Sequence, residues 1–230
     1  MGCILQSDSI KLEMKMGEKR KKARNINDGV YLVVDPSMEE NLLLQKVEAA
    51  LNSPLSVLQI WDNFSEEEKI VSLCEKITKR AHEKNVPVLI NNRWEIFNQT
   101  NLDGIHFDEI PPHLPDIRAS LDRPAIIGVT SNNDLDQIRR AAEAKIDYIS
   151  FCSIFPSVTS NSCELVDFDV IREARQLFPG SIFLSGGIQP DNIEKLSSLE
   201  YNGVAIVSGI MSADQPDQAV HQYLEKMKIR

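Results

Sequence analysis

The sequence predicts one α/β domain, a closed (β/α)8 TIM barrel. Three observations predict it. Eight short, β-branched apolar runs recur from residue 30 onward. Amphipathic stretches of helical period separate them. A chain of 230 residues accommodates eight strand–helix units at the short end of the usual barrel size. Continuous rather than alternating apolar runs are the pattern of parallel strands covered on both faces.

The runs are VYLVV (30–34), LSVLQI (55–60), VPVLI (86–90), GIHF (104–107), PAIIGV (124–129), DYISF (147–151), SIFLS (181–185) and GVAIV (203–207). Between them, residues 65–84 carry Ile70, Leu73, Cys74 and Ile77 at three-to-four spacing, one stripe of a helix. Stretches 133–144 and 167–178 repeat that pattern. Asn192, Ile193, Leu196 and Leu199 mark a shorter helix, and 215–228 a last one with Val220, Leu224 and Met227 inward. Segment 108–122 is Pro-rich and reads as a loop with a short helix. An open doubly wound sheet is the rival architecture, but no GxGxxG follows the first run.

Residues 1–28 are charged and aperiodic, holding seven Lys/Arg and four Asp/Glu. They are expected to be a poorly ordered tail before a barrel spanning 29–230. Gly2-Cys3 hints at lipidation, but Gln6 stands where an acylation signal carries Ser or Thr. The tail is +3 and the net charge −9, so the remainder is −12. That balance excludes a nucleic-acid surface, which needs clustered cations. No apolar stretch reaches the ~20 residues of a membrane span. Cys3, Cys74, Cys152 and Cys163 form no CxxC pair, so a reduced, cytoplasmic protein is expected. Homo-oligomer formation stays open.

In such barrels the site is built from residues just after each strand. Here these include Gln59 to Asn63, Asn91 to Arg93, His106 to Asp108, Thr130 to Asn132, Cys152 to Thr159, Gly186-Gly187 and Ser208-Gly209. The glycine-bearing loops after strands seven and eight carry the strongest signal. Bare backbone N–H groups there approach an anion closely, so a small phosphorylated ligand is expected at that end.

Several fragments carry a resemblance: SIFPSVTS (153–160), LSGGIQPDNI (184–193), GVAIVSGI (203–210), VLINNRWEIF (88–97) with DGIHF (103–107), and YLVVDP (31–36). In order and at the right strand ends, they resemble the thiamine phosphate synthase and TenI (thiazole tautomerase) superfamily. The resemblance implies thiamine metabolism. The family's synthases join an aminopyrimidine diphosphate to a thiazole phosphate and release pyrophosphate with Mg²⁺. Loss of a diphosphate needs cations around it: a metal held by carboxylates, plus Arg and Lys.

Carried over residue by residue, the resemblance places Gln59, Trp61, Asn63, Asn91, Asn92 and Arg93 on the pyrimidine side. Trp61 and Asn63 stand where the family's QxRxK strand carries arginine and lysine. Asn92 and Pro111 stand where it carries metal-binding aspartates. The nearest carboxylates for a shifted metal site are Asp108 and Glu109. On the thiazole-phosphate side stand Thr130, Asn132, Ser157, Thr159, Gly186, Gly187, Val207, Ser208 and Gly209. Ser160 replaces a phosphate-binding lysine, and Asn132 replaces the tautomerase branch's histidine; an amide cannot act as a general base near neutral pH. Trp61 is the better candidate for stacking on a flat heterocycle. His106 reads as support for the barrel mouth, and Cys152 as a packed cysteine. His82, His113 and His221 read as surface.

Two further readings remain beside the synthase-like one. The first is a non-catalytic or regulatory barrel that keeps the phosphate pocket. The second is a phosphosugar-type isomerase, for which no acid–base pair is evident.

Overall fold

A computed structural model describes residues 25–156 and 164–227. Eight parallel strands close on themselves in sequence order. They are β1 (Gly29–Val34), β2 (Val57–Ile60), β3 (Val88–Asn91), β4 (Gly104–Phe107), β5 (Ile126–Ser131), β6 (Tyr148–Cys152), β7 (Ser181–Ser185) and β8 (Gly203–Ile206). Closure is made by β1 against β8, with Gly29 opposite Gly203 and Leu32 opposite Ile206. The expected (β/α)8 barrel is therefore the observed fold.

The crossover helices are α1 (Glu40–Ala50), α2 (Ile70–Glu83), α3 (Leu114–Ser120), α4 (Leu135–Glu143) and α5 (Phe168–Leu177), and α6 (Ser208–Met211) and α7 (Pro216–Lys226) follow β8. Two units cross over by 3-10 turns instead, Trp94–Gln99 and Ile193–Leu196. Local chemistry starts several helices. Asp134 accepts from the backbone N–H of Asp136 and Gln137, and Asp167 from that of Asp169, satisfying first-turn donors that have no partner within the helix.

Helix α1 is absent from the sequence reading. Its Leu42, Leu43 and Leu44 are consecutive, so no clean stripe stands out. In the fold Leu43, Val47 and Ala50 face the barrel while Leu42 is left exposed. Strand β5 lies two residues further along than the run 124–129. Pro124 has no N–H to give to a ladder, and polar Thr130 and Ser131 continue the strand into the mouth.

The core has two parts. One fills the space between sheet and helices. The other lies inside the barrel, a layer of Tyr31, Val57, Leu89, Ile126, Tyr148, Phe183 and Ala205. Tyr31, Tyr148 and Phe183 meet edge to face with ring centroids 5.3–5.9 Å apart. The strand opposite must give way: a Cβ on Gly128 would lie 1.9 Å from Tyr148 Cζ. Ile26, assigned to the tail by the sequence, packs against this inner layer. His82 is not a free surface residue either, since its Nε2 lies 2.7 Å from Asp103 Oδ2.

Candidate functional site

The C-terminal ends of the strands surround a cavity of about 490 Å³. Tyr31 stands in the floor. Gln59 and Trp61 from β2, Asn91 from β3, His106 and Asp108 from β4, Thr130 from β5, and Ser150 and Cys152 from β6 form one side. The β7 segment Ser185–Gln189 and the β8 segment Ala205–Gly209 form the other. A larger groove, about 900 Å³, lies on the outer wall between α3 and α4.

The cavity floor is a single run of hydrogen bonds between side chains of five strands. The Tyr31 hydroxyl donates to Gln59 Oε1. Tyr31 and Tyr148 hydroxyls are 2.8 Å apart. Tyr148 Oη lies 2.7 Å from His106 Nδ1, and His106 Nε2 lies 2.9 Å from Thr130 Oγ1. The imidazole also stacks on the Tyr148 ring. Burial pushes the His106 pKa down to about 4, against a small opposing pull from Asp108. A neutral imidazole with both nitrogens engaged agrees with its reading as support for the mouth. Burial likewise raises the pKa of both tyrosines.

The rim on the β2–β4 side is dominated by carboxylates. Asn63 Nδ2 lies 3.0 and 3.2 Å from the two oxygens of Asp35. Arg93 Nε donates to Asp62 Oδ1 at 2.7 Å, and its two terminal nitrogens grip Glu67 at 2.8 and 3.1 Å. Asp108 takes Asn91 Nδ2 on one oxygen at 3.0 Å and Asn92 Nδ2 on the other at 2.7 Å, and its own N–H donates to Asn92 Oδ1. Asn92 holds a φ of +58°, a left-handed backbone that asparagine tolerates better than most residues.

At the other end, Gly186 and Gly187 have φ of +87° and +66°. A Cβ on Gly187 would stand 2.5 Å from the Phe155 carbonyl oxygen, so the β6 loop packs directly on bare backbone. Asn192 ties this turn down, donating to the Gly187 carbonyl and accepting from Gln189 N–H. Tyr223 of α7 donates to the Ile188 carbonyl. Ser208 and Gly209 open α6 beside it.

Of the residues singled out from sequence, the fold brings Gln59, Trp61, Asn91, Asp108, Thr130, Gly186, Gly187, Val207, Ser208 and Gly209 around one cavity. Asn63, Asn92 and Arg93 stand on the rim without lining it. Asn132 and Glu109 line the outer groove instead. The Asn132 side chain turns to the N–H of Asp134, holding the turn into α4. Ser157 and Thr159 lie outside the described residues. Sequence reading passed over Tyr31 and Tyr148, whose hydroxyls connect Gln59 to His106. Their only signal was a tyrosine placed within each of two apolar runs.

Mg²⁺, implied by the resemblance, does not fit the rim as it stands. A Mg²⁺ site draws on carboxylate oxygens. Both oxygens of Asp108 receive amide N–H groups from Asn91 and Asn92, which direct positive hydrogen where a cation would sit. No cluster of three metal-binding side chains occurs among the described residues.

Comparison with known proteins agrees with the strand-end motifs. The profile of the thiamine monophosphate synthase family, TMP-TENI, matches residues 30–210. The chain is 26% identical over 206 residues to a thiamine-phosphate synthase of Methanobrevibacter smithii, covering 90% of this chain and 98% of that one. It is 27% identical over 200 residues to that of Picrophilus torridus, covering 87% and 97%. In structure it is similar to a thiamine phosphate pyrophosphorylase from Pyrococcus furiosus, with a TM-score of 0.76 at 17% identity, covering 89% of this chain and 97% of that one. The barrel, its strand-end residues and a profile match spanning most of the chain agree: this chain belongs to the thiamine monophosphate synthase family.

Proposed function

We propose that the chain binds a small phosphorylated heterocycle across the barrel mouth and that its pyrophosphate-releasing synthase activity is weak. The phosphate would sit between Gly186-Gly187 and Ser208-Gly209, where bare backbone and the start of α6 favour an anion. The ring would lie over the hydroxyls of the floor, with Trp61 offering a flat face for stacking.

The observation that carries the second half is the state of Arg93. It is the cation nearest the pyrimidine side, and Asp62 and Glu67 already occupy its guanidinium. A departing diphosphate develops negative charge that must meet preorganised positive groups. Around that rim Asp35, Asp62, Glu67 and Asp108 would repel it instead. The same observation favours the non-catalytic binding barrel as the second reading.

The test is to titrate the protein separately with thiazole phosphate, pyrophosphate and Mg²⁺, and to assay pyrophosphate release with both family substrates. Binding of thiazole phosphate with little binding of pyrophosphate supports the reading. Robust Mg²⁺-dependent turnover overturns it.

A further inference from the structure

We propose that Tyr31, Tyr148 and His106 form a proton-ordered chain that makes Gln59 and Thr130 read the ligand with opposite hydrogen-bond polarity. While Gln59 offers N–H groups to the cavity, Thr130 offers only lone pairs. The ligand it selects is a heterocycle with an acceptor facing Gln59 and a donor facing Thr130. The choice of ligand rests on the phosphorylated-heterocycle reading; the chain itself does not.

The order follows from the Gln59 amide, whose oxygen faces Tyr31, and from counting protons along the chain from there. Gln59 Oε1 can only accept, so the single Tyr31 proton is committed to it. Tyr31 must then accept from Tyr148, whose proton is spent in turn. Tyr148 Oη must accept from His106, so the imidazole carries its hydrogen on Nδ1. The buried ring is neutral, so Nε2 is bare and accepts from Thr130. Thr130 has no second proton to offer.

Gln59 closes the argument at the other end. It is only 6% exposed and lines the cavity, yet its Nε2 has no hydrogen-bond partner among the described residues. An unpartnered amide nitrogen left accessible at a cavity wall is free to take an acceptor on the ligand.

A reversed chain holds the same number of protons. Turning the Gln59 amide over makes Tyr31 donate to Tyr148 and Tyr148 donate to His106 Nδ1. The imidazole hydrogen then sits on Nε2, and the Thr130 proton is released to the cavity. A ligand presenting donors at both ends, or acceptors at both ends, suits neither order and leaves one buried bond unmade. Such a ligand is expected to bind roughly tenfold more weakly.

The test reads the His106 tautomer by ¹⁵N nuclear magnetic resonance on the full chain labelled at histidine, near neutral pH and without ligand. The other three histidines are assigned with His82→Gln, His113→Gln and His221→Gln. The wild type should carry hydrogen on Nδ1. Gln59→Glu, an acceptor only, should keep it there. Tyr31→Phe removes one hydroxyl and keeps the ring. It frees the Tyr148 proton, which turns to His106 Nδ1, since an orphaned donor costs more than an orphaned acceptor. The hydrogen should then move to Nε2.

A wild-type imidazole protonated on Nε2 overturns the order, and needs no variant to fold. An unchanged tautomer in folded Tyr31→Phe overturns the coupling. Because no ligand is present, either failure is distinct from a failure of thiazole phosphate to bind.

Discussion

Arg93 and Asp62 meet on the rim above the paired strands β3 and β2, guanidinium Nε to carboxylate at 2.7 Å, with Glu67 gripping the far side of the same guanidinium. The bonds to Asp62 and Glu67 raise the Arg93 pKa still further. A cation so engaged has few N–H groups left for a diphosphate. Replacing both partners, as Asp62→Asn with Glu67→Gln, should release it. Pyrophosphate affinity, read by calorimetry, should rise about tenfold, the worth of one hydrogen bond to a charged group at roughly 1.5 kcal/mol. The Glu67 carboxylate is exposed and the Asp62 pair only partly buried, so the melting temperature should move by no more than a few degrees, roughly 2–4 °C per kcal/mol. Unchanged pyrophosphate binding would show that Arg93 does not face the anion.

Restoring the family's charges is the complementary test. Trp61→Arg, Asn63→Lys and Asn92→Asp together should add two cations to the rim and set a second carboxylate beside Asp108. Pyrophosphate release in the presence of both family substrates should increase and become dependent on Mg²⁺. One preorganised contact is typically worth about 10²–10³ in rate, though several such contacts do not simply multiply. No increase in a folded triple variant would mean that more than charge has been lost.

Phosphate binding at the β7–β8 end is best tested at Ser208, since Gly187 tolerates no side chain against the Phe155 carbonyl. Ser208→Asp puts a negative charge at the start of α6 without a strained backbone. Thiazole phosphate affinity should fall at least about tenfold by like-charge repulsion at close range, with the melting temperature preserved. Equal affinity in the variant would move the phosphate elsewhere.

Burial of His106 has a consequence for stability. Its folded pKa, about 4, lies below its unfolded value, near 6.5. Between those values the unfolded chain binds a proton that the native chain refuses, so stability falls as pH drops through that window and is fully present above it. Comparing denaturant unfolding at pH 7 and pH 5, the wild type should lose about 2 kcal/mol more than His106→Gln. Equal losses would show that the imidazole is solvated in the native state.

Gly128→Ala should be among the costlier single methyl additions in the molecule. Its Cβ would overlap the Tyr148 ring, which the chain of hydroxyls pins in place. Overpacking of this kind costs about 1–3 kcal/mol, so the melting temperature should drop by several degrees. A melting temperature equal to wild type would show that the ring is free to shift.

The fold was legible because each strand is a short apolar run and most of the crossovers, α1 excepted, carry a helical stripe. Gln59, Asn91, Thr130 and the two glycine loops were legible because a barrel strand carries its site residues at a fixed end. Side-chain direction was not. Asn132 follows β5 as expected, yet its amide is drawn to Asp134 and the outer wall. The neutralised state of Arg93 depends on partners 31 and 26 residues away, a closeness only the closed sheet creates. Tyr31 and Tyr148 passed as core residues because periodicity registers the ring and is blind to the hydroxyl.

The glycine gap opposite Tyr148 ties recognition to architecture. Barrels commonly change ligand by exchanging loops above a fixed scaffold. Here the hydroxyls that floor the cavity are carried by rings rooted among Tyr31, Tyr148 and Phe183, one of which fills the space that Gly128 leaves. New loops could reshape the entrance and its charge, but the hydroxyl pattern below would be inherited unaltered. Changing it would require redesign of the strands themselves.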